Sequence, residues 1–425
     1  METVLIFLGS LLGFTVLGVP IGFAIGLTSI ILMFSLGMTD AMILARRLIA
    51  GVDIYTLLAI PFFMLAGEIM NRVGLTNDIL KFSGALVGRI RGGLAAVNVL
   101  GSMLFAGISG SAVADTAALG SLEIPMMEKD GYDKPFASAI TAASAVIGPI
   151  IPPSIPMIIF GSLAQISIAK LFLGGAIPGI LIGISLLGYS LFISKKRNYP
   201  VSQAVSFKEF VQVFRNTIWA LILPIIILGG ILGGFFTATE AGAIAVIYAV
   251  IISFVVYKVK LRDYKDILKG AALSTGVVML VCATAMALTW FLAVAQLPQT
   301  LTNYLMSITE NKLIFLFILN VLLFIVGMVI DLTPALFLLT PILLPISKMY
   351  GIDPIHFGVI MVANLCIGLI TPPVGTVLYV TTSISKLKLE KLVKELIPMY
   401  AILFIVLMLI TYVPFTVLWL PSLVK

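Results

Sequence analysis

The amino-acid sequence predicts an all-α, polytopic membrane protein in which two inverted repeats each hold a re-entrant helical hairpin and a broken transmembrane helix. The composition is the first indication, because 60% of the 425 residues are hydrophobic and only 11% are charged. A soluble protein is about 45–50% apolar and about 25% charged. The second indication is a set of apolar runs as long as the roughly 20 residues that cross a bilayer. The third is a similarity between two distant stretches of chain, 131–153 and 351–373.

The apolar runs divide into uninterrupted and interrupted ones. The candidate spans are 4–18, 20–36, 54–71, 136–165, 171–193, 216–236, 238–257, 270–293, 354–385 and 396–421. Two further regions, 94–127 and 313–347, are broken near their midpoints by Gly, Ser, Asp, Thr and Pro. We expect each half to be too short to cross, and irregular backbone survives at membrane depth only where protein or a wet cavity covers it. Both regions are therefore predicted to form re-entrant helical hairpins.

The distribution of basic residues predicts which side of the membrane each loop faces. With the N-terminus outside, 20 of the 26 Lys and Arg residues fall in inner loops, in agreement with the positive-inside rule. The exceptions include Arg46 and Arg47, which we expect on an interfacial helix with snorkelling side chains. Three inner segments that mix apolar and basic residues are expected to form amphipathic interfacial helices, or alternatively basic loops: 76–91, 261–269 and 386–395.

Other totals exclude several classes of function. The net charge of +7 comes from basic residues between apolar spans, so no nucleic-acid partner is expected. The two cysteines, Cys282 and Cys366, lie in apolar stretches and indicate neither a disulfide framework nor a metal quartet. The single histidine, His356, is expected at the membrane interface rather than in a catalytic site. Because the sequence contains no HExxH and no Walker A motif, we do not expect an enzyme.

The internal similarity predicts a duplication. Residues 131–153 align without gaps with residues 351–373. Over the longer windows 107–153 and 327–373 there are 12 identities in 47 positions, and seven of them fall in the last 14 positions, including a Gly and a Pro-Pro pair. An odd number of crossings separates the copies, so they run through the membrane in opposite directions. Inverted repeats with discontinuous helices are typical of secondary transporters, whose substrate and ion sites lie near the membrane midplane.

Each copy has two places where helical structure must break. The hairpin tips are 107–111 and 327–334, and the centres of the broken spans are 148–154 and 368–376. Proline removes an N–H group and clashes with the carbonyl one turn back, so paired prolines free carbonyl oxygens that suit Na⁺. Helix N-terminal N–H groups beyond a break suit a carboxylate. A lone Pro-Pro pair is more simply a kink, but two pairs at equivalent positions opposite hydroxyl-rich tips favour a binding site.

Four acidic residues lie in or near the spans, where an ionisable group is costly and usually functional. Asp331 lies at the second tip and is expected to bind a cation. Asp115, one turn past the first tip, could bind a cation or cap a short helix. Glu240 follows Thr237 in a sequence typical of a capping box, so a structural role is expected. Glu68 has no role that the sequence indicates.

Four motifs resemble those of a known family: GPIIPPS at 148–154, TPPVG at 371–375, FTATEA at 236–241 and VPIGFA at 19–24. Together they resemble the large membrane subunit of tripartite ATP-independent periplasmic (TRAP) transporters. The resemblance implies an elevator-type fold, in which the hairpins and broken helices move against a scaffold, and Na⁺ as the coupling ion. It also implies a separate small four-helix membrane subunit and a periplasmic binding protein that delivers a small organic acid. The expected location is the bacterial inner membrane, in contact with lipid.

The ion-binding regions of the family carry over to the tips and breaks. The residues expected to bind Na⁺ are Ser109, Gly110, Ser111, Gly148, Ile151, Gly327, Asp331, Thr333, Gly368 and Thr371. The residues expected to bind substrate are Pro152, Pro153, Ser154, Pro372, Pro373, Gly375 and Thr376. The first copy has Ser109 and Ser111 where the second has Val329 and Asp331, so two equal Na⁺ sites are not expected. No cofactor and no transition metal are expected.

The expected division of the chain follows the repeats. Scaffold or arm helices are expected at 1–93, 171–269, 270–312 and 386–425, and the two transport repeats at 94–170 and 313–385. The sequence leaves the substrate open among sialic acid, C4-dicarboxylates and sugar acids. The alternatives are a stand-alone elevator carrier for dicarboxylates, arsenite or citrate, and a channel or structural membrane scaffold.

Overall fold

The computed structural model describes residues 2–88, 90–201 and 206–424, and these fold almost entirely into helices. The α-helices of the described residues are α1 (Glu2–Val16), α2 (Ile21–Ser35), α3 (Ala41–Val52), α4 (Ala59–Arg72), α5 (Leu75–Val87), α6 (Gly93–Ser109), α7 (Ala112–Lys129), α8 (Lys134–Ala145), α9 (Ile155–Ala164), α10 (Ile168–Lys196), α11 (Phe207–Leu232), α12 (Ala238–Val255), α13 (Tyr264–Val294), α14 (Leu297–Ile308), α15 (Lys312–Val329), α16 (Leu332–Met349), α17 (Pro354–Gly368), α18 (Thr376–Ser385), α19 (Leu389–Tyr412) and α20 (Phe415–Ser422). Seven helices of the described chain are long and apolar enough to cross a bilayer, and the bent pair formed by α3 and α4 makes an eighth. The predicted all-α membrane fold is confirmed. Arg89, counted among the inner basic residues, and Lys425, counted among the outer ones, lie outside the described residues.

The duplication covers more of the chain than the sequence similarity indicated. The bounds of α7 and α16 are related by the same offset that aligns 131–153 with 351–373, and α6 and α15 end at equivalent positions. α8 and α17 begin at equivalent positions, and α9 matches α18 closely at both ends. The short helices α5 and α14 and the long helices α10 and α19 occupy corresponding places. Each repeat therefore consists of a short arm helix, a hairpin, a broken helix and a long closing helix.

The two broken helices run in opposite directions, as predicted. Asp133, just before α8, pairs with Arg197 at 3.2 Å, and Arg197 pairs with Glu395 near the start of α19 at 2.5 Å. Near the other end of α19, the carbonyl oxygen of Ile410 lies 2.9 Å from Nε2 of His356 in the first turn of α17. α8 and α17 thus begin at opposite ends of α19. His356 is 1% exposed, because its imidazole is buried against α19. Its expected depth at the membrane interface stays a prediction.

In each hairpin, the beginning and the end lie on the same side of the bundle. In the second hairpin, the Lys312 ammonium at the start of α15 donates to the carbonyl of Gly351, just past the end of α16, at 2.9 Å. The two helices of this hairpin are longer than expected, because α15 and α16 have 18 residues each, or roughly 27 Å at 1.5 Å per residue. The expectation that each half is too short to cross is therefore wrong for the second hairpin, whereas α6 of the first hairpin belongs to the shorter apolar helices of the described chain. The turn uses only Ile330 and Asp331, and re-entry follows from where the two ends lie.

Buried polar side chains tie each hairpin to the first half of its broken helix. In the first repeat, Asn98 donates to Thr141 at 2.7 Å and the Ser144 hydroxyl donates to Asn98 at 2.9 Å. In the second repeat, Asn364, which is equivalent to Ser144, donates to the side-chain oxygen of Asn320 at 2.7 Å. Hydrogen bonds between polar side chains on neighbouring helices hold those helices together in a membrane. Hairpin and broken helix therefore form one packed unit in each repeat.

The remaining helices separate into two groups. α10 packs on α6, α9 and α17, and α19 packs on α8, α10 and α17, whereas α2, α3 and α4 pack on α13, and α12 packs on α4. The arm helices link the groups, because α5 contacts α6 and α11, and α14 contacts α13 and α16. The sequence analysis placed 171–193 and 396–421 with the scaffold. In the structure α10 packs on the hairpin and broken helix of its own repeat and also on α17, and α19 packs on the broken helices of both repeats.

One of the three expected interfacial helices forms as a separate element. α5 covers most of segment 76–91. Segment 261–269 is instead a 3₁₀ turn, Leu261–Asp263, that leads directly into α13. Most of segment 386–395 is the first part of α19. The prediction of separate helices is wrong for these two segments, because no loop separates their basic residues from the apolar run that follows.

The contact between the second tip and its break can be tested by adding a methyl group. Gly368 lies against the backbone of Gly327, and no Cβ fits there. We expect Gly368→Ala to lower the free energy of unfolding in detergent by about 1–3 kcal/mol, the usual cost of overpacking. Gly276→Ala is the matched control, because nothing lies within 4 Å of the Cβ it would introduce. Equal melting temperatures for the two variants would contradict this packing.

Candidate functional site

The first hairpin turns within two residues, Gly110 and Ser111. Gly110 has a φ of 60°, and a Cβ on it would lie 3.0 Å from the carbonyl oxygen of Pro153 and 3.2 Å from the nitrogen of Ile155. Glycine adopts positive φ without a steric cost and allows this close approach. Ser111 caps α7, because its hydroxyl oxygen accepts from the N–H of Ala114 at 3.4 Å. The tip therefore lies backbone against backbone on the first break.

Asp115, one turn into α7, is the acidic residue of this tip. Its side chain is fully buried, and Oδ1 accepts a hydrogen bond from the hydroxyl of Ser109. Oδ2 lies against Gly148 and has no hydrogen-bond partner among the described residues. Ser111, not Asp115, caps α7, so the capping role left open for Asp115 is excluded. A carboxylate oxygen therefore faces the first break.

The first break lies between α8 and α9. The hydroxyl of Ser154 donates to the carbonyl of Pro149, and the same oxygen caps α9. Ser154 thus closes the loop. The carbonyl oxygens of Ile151, Pro152 and Pro153 accept no backbone hydrogen bond within the described chain. Because a buried carbonyl needs a partner, these oxygens are available to a cation.

Two hydrogen bonds join the second tip to the second break. Oδ1 of Asp331 accepts from the hydroxyl of Thr376 at 3.0 Å. The amide of Val374 donates to the carbonyl of Met328 at 3.1 Å. Asp331 precedes α16, and Thr376 is the first residue of α18. The carboxylate of the tip is therefore held at the start of the second half-helix.

The second break exposes the same carbonyl oxygens as the first. The hydroxyl of Thr371 donates back to the carbonyl of Ile367 at 2.8 Å. The carbonyls of Thr371, Pro372 and Pro373, which are equivalent to the three in the first break, accept no backbone hydrogen bond from the part of the chain that the structure describes. In both breaks the Pro-Pro peptide bond is cis. The duplication has therefore preserved a set of three carbonyl oxygens in each repeat.

A cavity of about 90 Å³ brings the two repeats together. The tips and breaks contribute to its wall Gly110, Ser111, Pro149, Asp331, Thr333 and Leu369. Met64 of α4 and Val278 of α13 close it from the scaffold side. Residues of both repeats that are far apart in sequence thus meet at one place, against the helices that pack around α13.

Two larger cavities flank this meeting point. One of about 290 Å³ lies between the first tip, through Ser109 and Ser111, and α4, through Glu68 and Asn71. The other, of about 200 Å³, borders Asp331 on its opposite side together with Gly327, Gly375 and Thr376. Glu68, for which the sequence indicated no role, therefore lines a cavity beside the first tip.

The structure places the predicted site residues in two ways. Gly110, Ser111, Asp331 and Thr333 line the shared cavity, and Gly375 and Thr376 line the cavity next to it. Ser154, Pro152 and Pro153 are buried behind the first break, and Pro149 and Ile155 form that wall instead. Sequence reasoning missed Met64 and Val278, because apolar residues inside apolar spans carry no distinguishing signal. The capping box predicted at Glu240 is present, with Glu240 accepting from the Thr237 amide at 2.8 Å.

This arrangement defines the class of protein. Inverted repeats with discontinuous helices, whose tips and breaks surround a polar cavity inside an apolar bundle, are the architecture of secondary transporters. The molecule is therefore a multi-pass membrane protein of the transporter class.

The chain belongs to the DctM family, because the family model described as "Tripartite ATP-independent periplasmic transporter, DctM component" matches residues 8–416. It is 44% identical over 412 residues to the 2,3-diketo-L-gulonate TRAP transporter large permease protein YiaN of Escherichia coli, with 97% of each chain covered. It is 41% identical over 413 residues to the sialic acid TRAP transporter large permease protein SiaM of Vibrio cholerae, again with 97% of each covered. The resemblance drawn from the four motifs is thereby confirmed.

A solved structure shares the fold. The crystal structure of the YdaH transporter of Alcanivorax borkumensis matches with a TM-score of 0.62 over 87% of this chain and 86% of that chain, at 15% sequence identity. At this low identity the match concerns the fold.

The hydrogen bond between Asp331 and Thr376 can be measured with a double-mutant cycle. We expect Thr376→Val to lower the free energy of unfolding by about 1–3 kcal/mol, because it leaves a buried carboxylate oxygen without its donor. In an Asp331→Ala background the same change should cost much less, and Thr376→Ser should retain the bond. The measurement is thermal unfolding of the four purified proteins of the cycle. Additive effects of the two substitutions would show that tip and break are not coupled.

Proposed function

We propose that the chain is the large permease subunit of a Na⁺-coupled transporter that imports a small organic acid by an elevator movement. The observation that carries the proposal is the shared cavity, where two tips, two breaks and two scaffold helices converge. Each side of this meeting point has one buried or half-buried carboxylate, Asp115 or Asp331, next to carbonyl oxygens without backbone partners.

The proposed role of Na⁺ follows from the cost of these carboxylates. A charged side chain at membrane depth is costly unless it is paired. Asp115 has one oxygen without a partner among the described residues, and it faces a break with free carbonyls. A Na⁺ ion bound there would neutralise the charge of the carboxylate. The carboxylate and carbonyl oxygens would replace the water shell of the ion. The same reasoning applies to Asp331 and the second break.

The proposed substrate chemistry follows from the helix ends. α7, α9, α16 and α18 all begin at a tip or a break. The N-terminus of a helix has a partial positive charge and free N–H groups, which suit an anion. With Na⁺ bound to the aspartates, these N-termini favour a carboxylate in the cavity. Na⁺ and an organic acid would therefore bind cooperatively, each lowering the electrostatic cost of the other.

The elevator movement is proposed from the packing. The moving unit would consist of α6–α10 and α15–α20, because these helices pack mainly on one another. The static unit would consist of α1–α4 and α11–α13, and the arm helices α5 and α14 would connect the two. This division moves α10 and α19 from the scaffold, where the sequence analysis placed them, to the moving unit.

The partners and location are proposed from the family. A tripartite system needs two further proteins, and we infer that these are a small four-helix membrane subunit and a periplasmic binding protein. The location that we infer for this chain is the bacterial inner membrane. YiaN and SiaM are named for 2,3-diketo-L-gulonate and sialic acid, which are both organic acids. Either of these, another sugar acid or a C4-dicarboxylate is therefore the proposed class of substrate.

The Na⁺ sites can be tested in proteoliposomes that contain the small subunit and receive substrate from the binding protein. We expect Asp115→Asn and Asp331→Asn each to raise the Na⁺ concentration for half-maximal uptake by about 10- to 100-fold, since losing a charged ligand costs about 1–3 kcal/mol. Asp266→Asn is the control, because Asp266 is exposed in the first turn of α13. An unchanged Na⁺ dependence in both tip variants would contradict the assignment of these carboxylates.

The stand-alone carrier is the alternative, and reconstitution distinguishes it. Uptake of radiolabelled sialic acid, a sugar acid and a C4-dicarboxylate is compared in vesicles with this chain alone and in vesicles that also have the small subunit and binding protein. The tripartite proposal predicts uptake of one of these acids only in the complete system. Equal uptake by the chain alone would establish the stand-alone carrier instead.

A further inference from the structure

The first hairpin contains a second buried carboxylate that none of the proposed Na⁺ chemistry uses. Glu123 lies two turns past Asp115 on the same face of α7 and is 0% exposed. Neither of its carboxylate oxygens has a hydrogen-bond partner among the described residues. Unlike Asp115, it lies near neither the tip nor the break. Its presence therefore needs an explanation separate from that of the tip.

A second buried polar group without a partner among the described residues lies near Glu123. A Cβ on Gly101 of α6 would lie 3.2 Å from Oε1 of Glu123, 3.1 Å from Cδ2 of Leu80 and 4.0 Å from Oγ of Ser83. Ser83, on α5, is 0% exposed, and its hydroxyl has no hydrogen-bond partner within the described chain. Because Gly101 has no side chain, a carboxyl group from the hairpin and a hydroxyl group from the arm helix both lie close to the same point on α6.

Among the described residues, no ion pair involves Glu123, and the side chains given below as its neighbours are uncharged. Near this level, α5 contributes Leu80 and Ser83, and α6 contributes Gly101. Thr141 of α8 and Ile384 of α18 pack on α7 one turn earlier, at Gly120. Asp115, two turns earlier on α7, carries a charge of the same sign when it is ionised. An unpaired carboxylate buried in this way is strongly disfavoured relative to the neutral acid.

The geometry fits a proton better than a metal cation. The carboxyl group and the Ser83 hydroxyl offer three oxygen atoms, whereas a Na⁺ ion must replace a whole shell of water oxygens. A proton needs only one lone pair, and a neutral carboxylic acid can donate to a hydroxyl oxygen such as that of Ser83. The equivalent position in the second repeat is Leu343, which is also buried. Only the first repeat therefore has this group, in contrast to the duplicated carbonyls of the breaks.

We propose that Glu123 is a proton-binding site, and that the transporter works only while this carboxyl group is protonated. The proposal rests on the proposed transport function and adds a second ion to it. When the proton leaves for water, an unpaired negative charge remains between α5, α6 and α7. These helices connect the arm to the first hairpin, so the charge would separate surfaces that must stay packed for the hairpin to move with its arm. The activity is therefore expected to fall as the pH rises.

The first experiment measures protonation without transport. Infrared spectra of the purified wild-type chain and of Glu123→Gln are recorded over a range of pH. We expect the wild type to show a carbonyl band of a protonated carboxylic acid that persists at neutral pH, disappears at alkaline pH, and is missing from the variant. If Glu123→Gln does not fold, Glu123→Leu serves instead, because it introduces the residue of the second repeat. Wild-type and variant spectra without any difference in this band would overturn the proposal.

The second experiment measures uptake in the complete reconstituted system at a fixed Na⁺ gradient and varied pH. We expect wild-type uptake to fall by about tenfold per pH unit above its midpoint, as for a single required proton, and Glu123→Gln to remove this alkaline decline. Asp266→Asn, which changes an exposed acid, should keep the wild-type pH profile. Identical pH profiles of the wild type and Glu123→Gln would overturn the requirement for the proton.

The two experiments separate this inference from the proposed function. If the complete system shows no Na⁺-driven uptake at any pH, the proposed function fails, while the infrared band still reports whether Glu123 holds a proton. If Na⁺-driven uptake is present and its pH profile does not depend on Glu123, the inference fails and the proposed function remains.

Discussion

The structure depends on how two interruptions of helical backbone are covered inside an apolar bundle. Main-chain groups at membrane depth must find partners within the protein. At each break the hairpin tip supplies the cover: Gly110 lies against Pro153 in the first repeat, and Met328 accepts from Val374 in the second. The cover is incomplete, because three carbonyls per break accept no backbone hydrogen bond within the described chain. The same interruption thus creates both the need for a hairpin and the candidate binding site.

The two repeats solve this problem with the same backbone and different side chains. The equivalent of Asp331 in the first repeat is Ser111, and the equivalent of Asp115 in the second is Ala335. The second carboxylate is held by a hydroxyl across the tip–break contact. The first is held by Ser109 of its own hairpin and faces the break with a free oxygen. Under the proposed function, these unequal carboxylates would give the two ion sites different affinities.

Much of this could be predicted from the sequence because the constant offset between the two copies marks the tips and breaks directly. Glycine, proline and hydroxyl residues stand out in an apolar background, so Gly110, Asp331 and the Pro-Pro pairs were identified. The packing of α10 on the first hairpin and of α19 on the broken helices could not be predicted, since a lipid-facing and a protein-facing apolar helix have similar sequences. For the same reason Met64 and Val278 gave no signal. The role of Asp115 could not be predicted either, because it depends on the contact with Gly148. In the sequence, α8 lies between these two residues.

The proposed function requires that the two tips and the two breaks close over a common set of cation sites. Hydrogen–deuterium exchange of the purified chain in Na⁺ and in choline measures this closure. We expect Na⁺ to slow exchange at residues 107–116, 148–156, 327–335 and 368–377 together, while the scaffold helices α2, α12 and α13 stay unchanged. Exchange that is the same in both salts at all four segments, or Na⁺ protection confined to the scaffold helices, would contradict it.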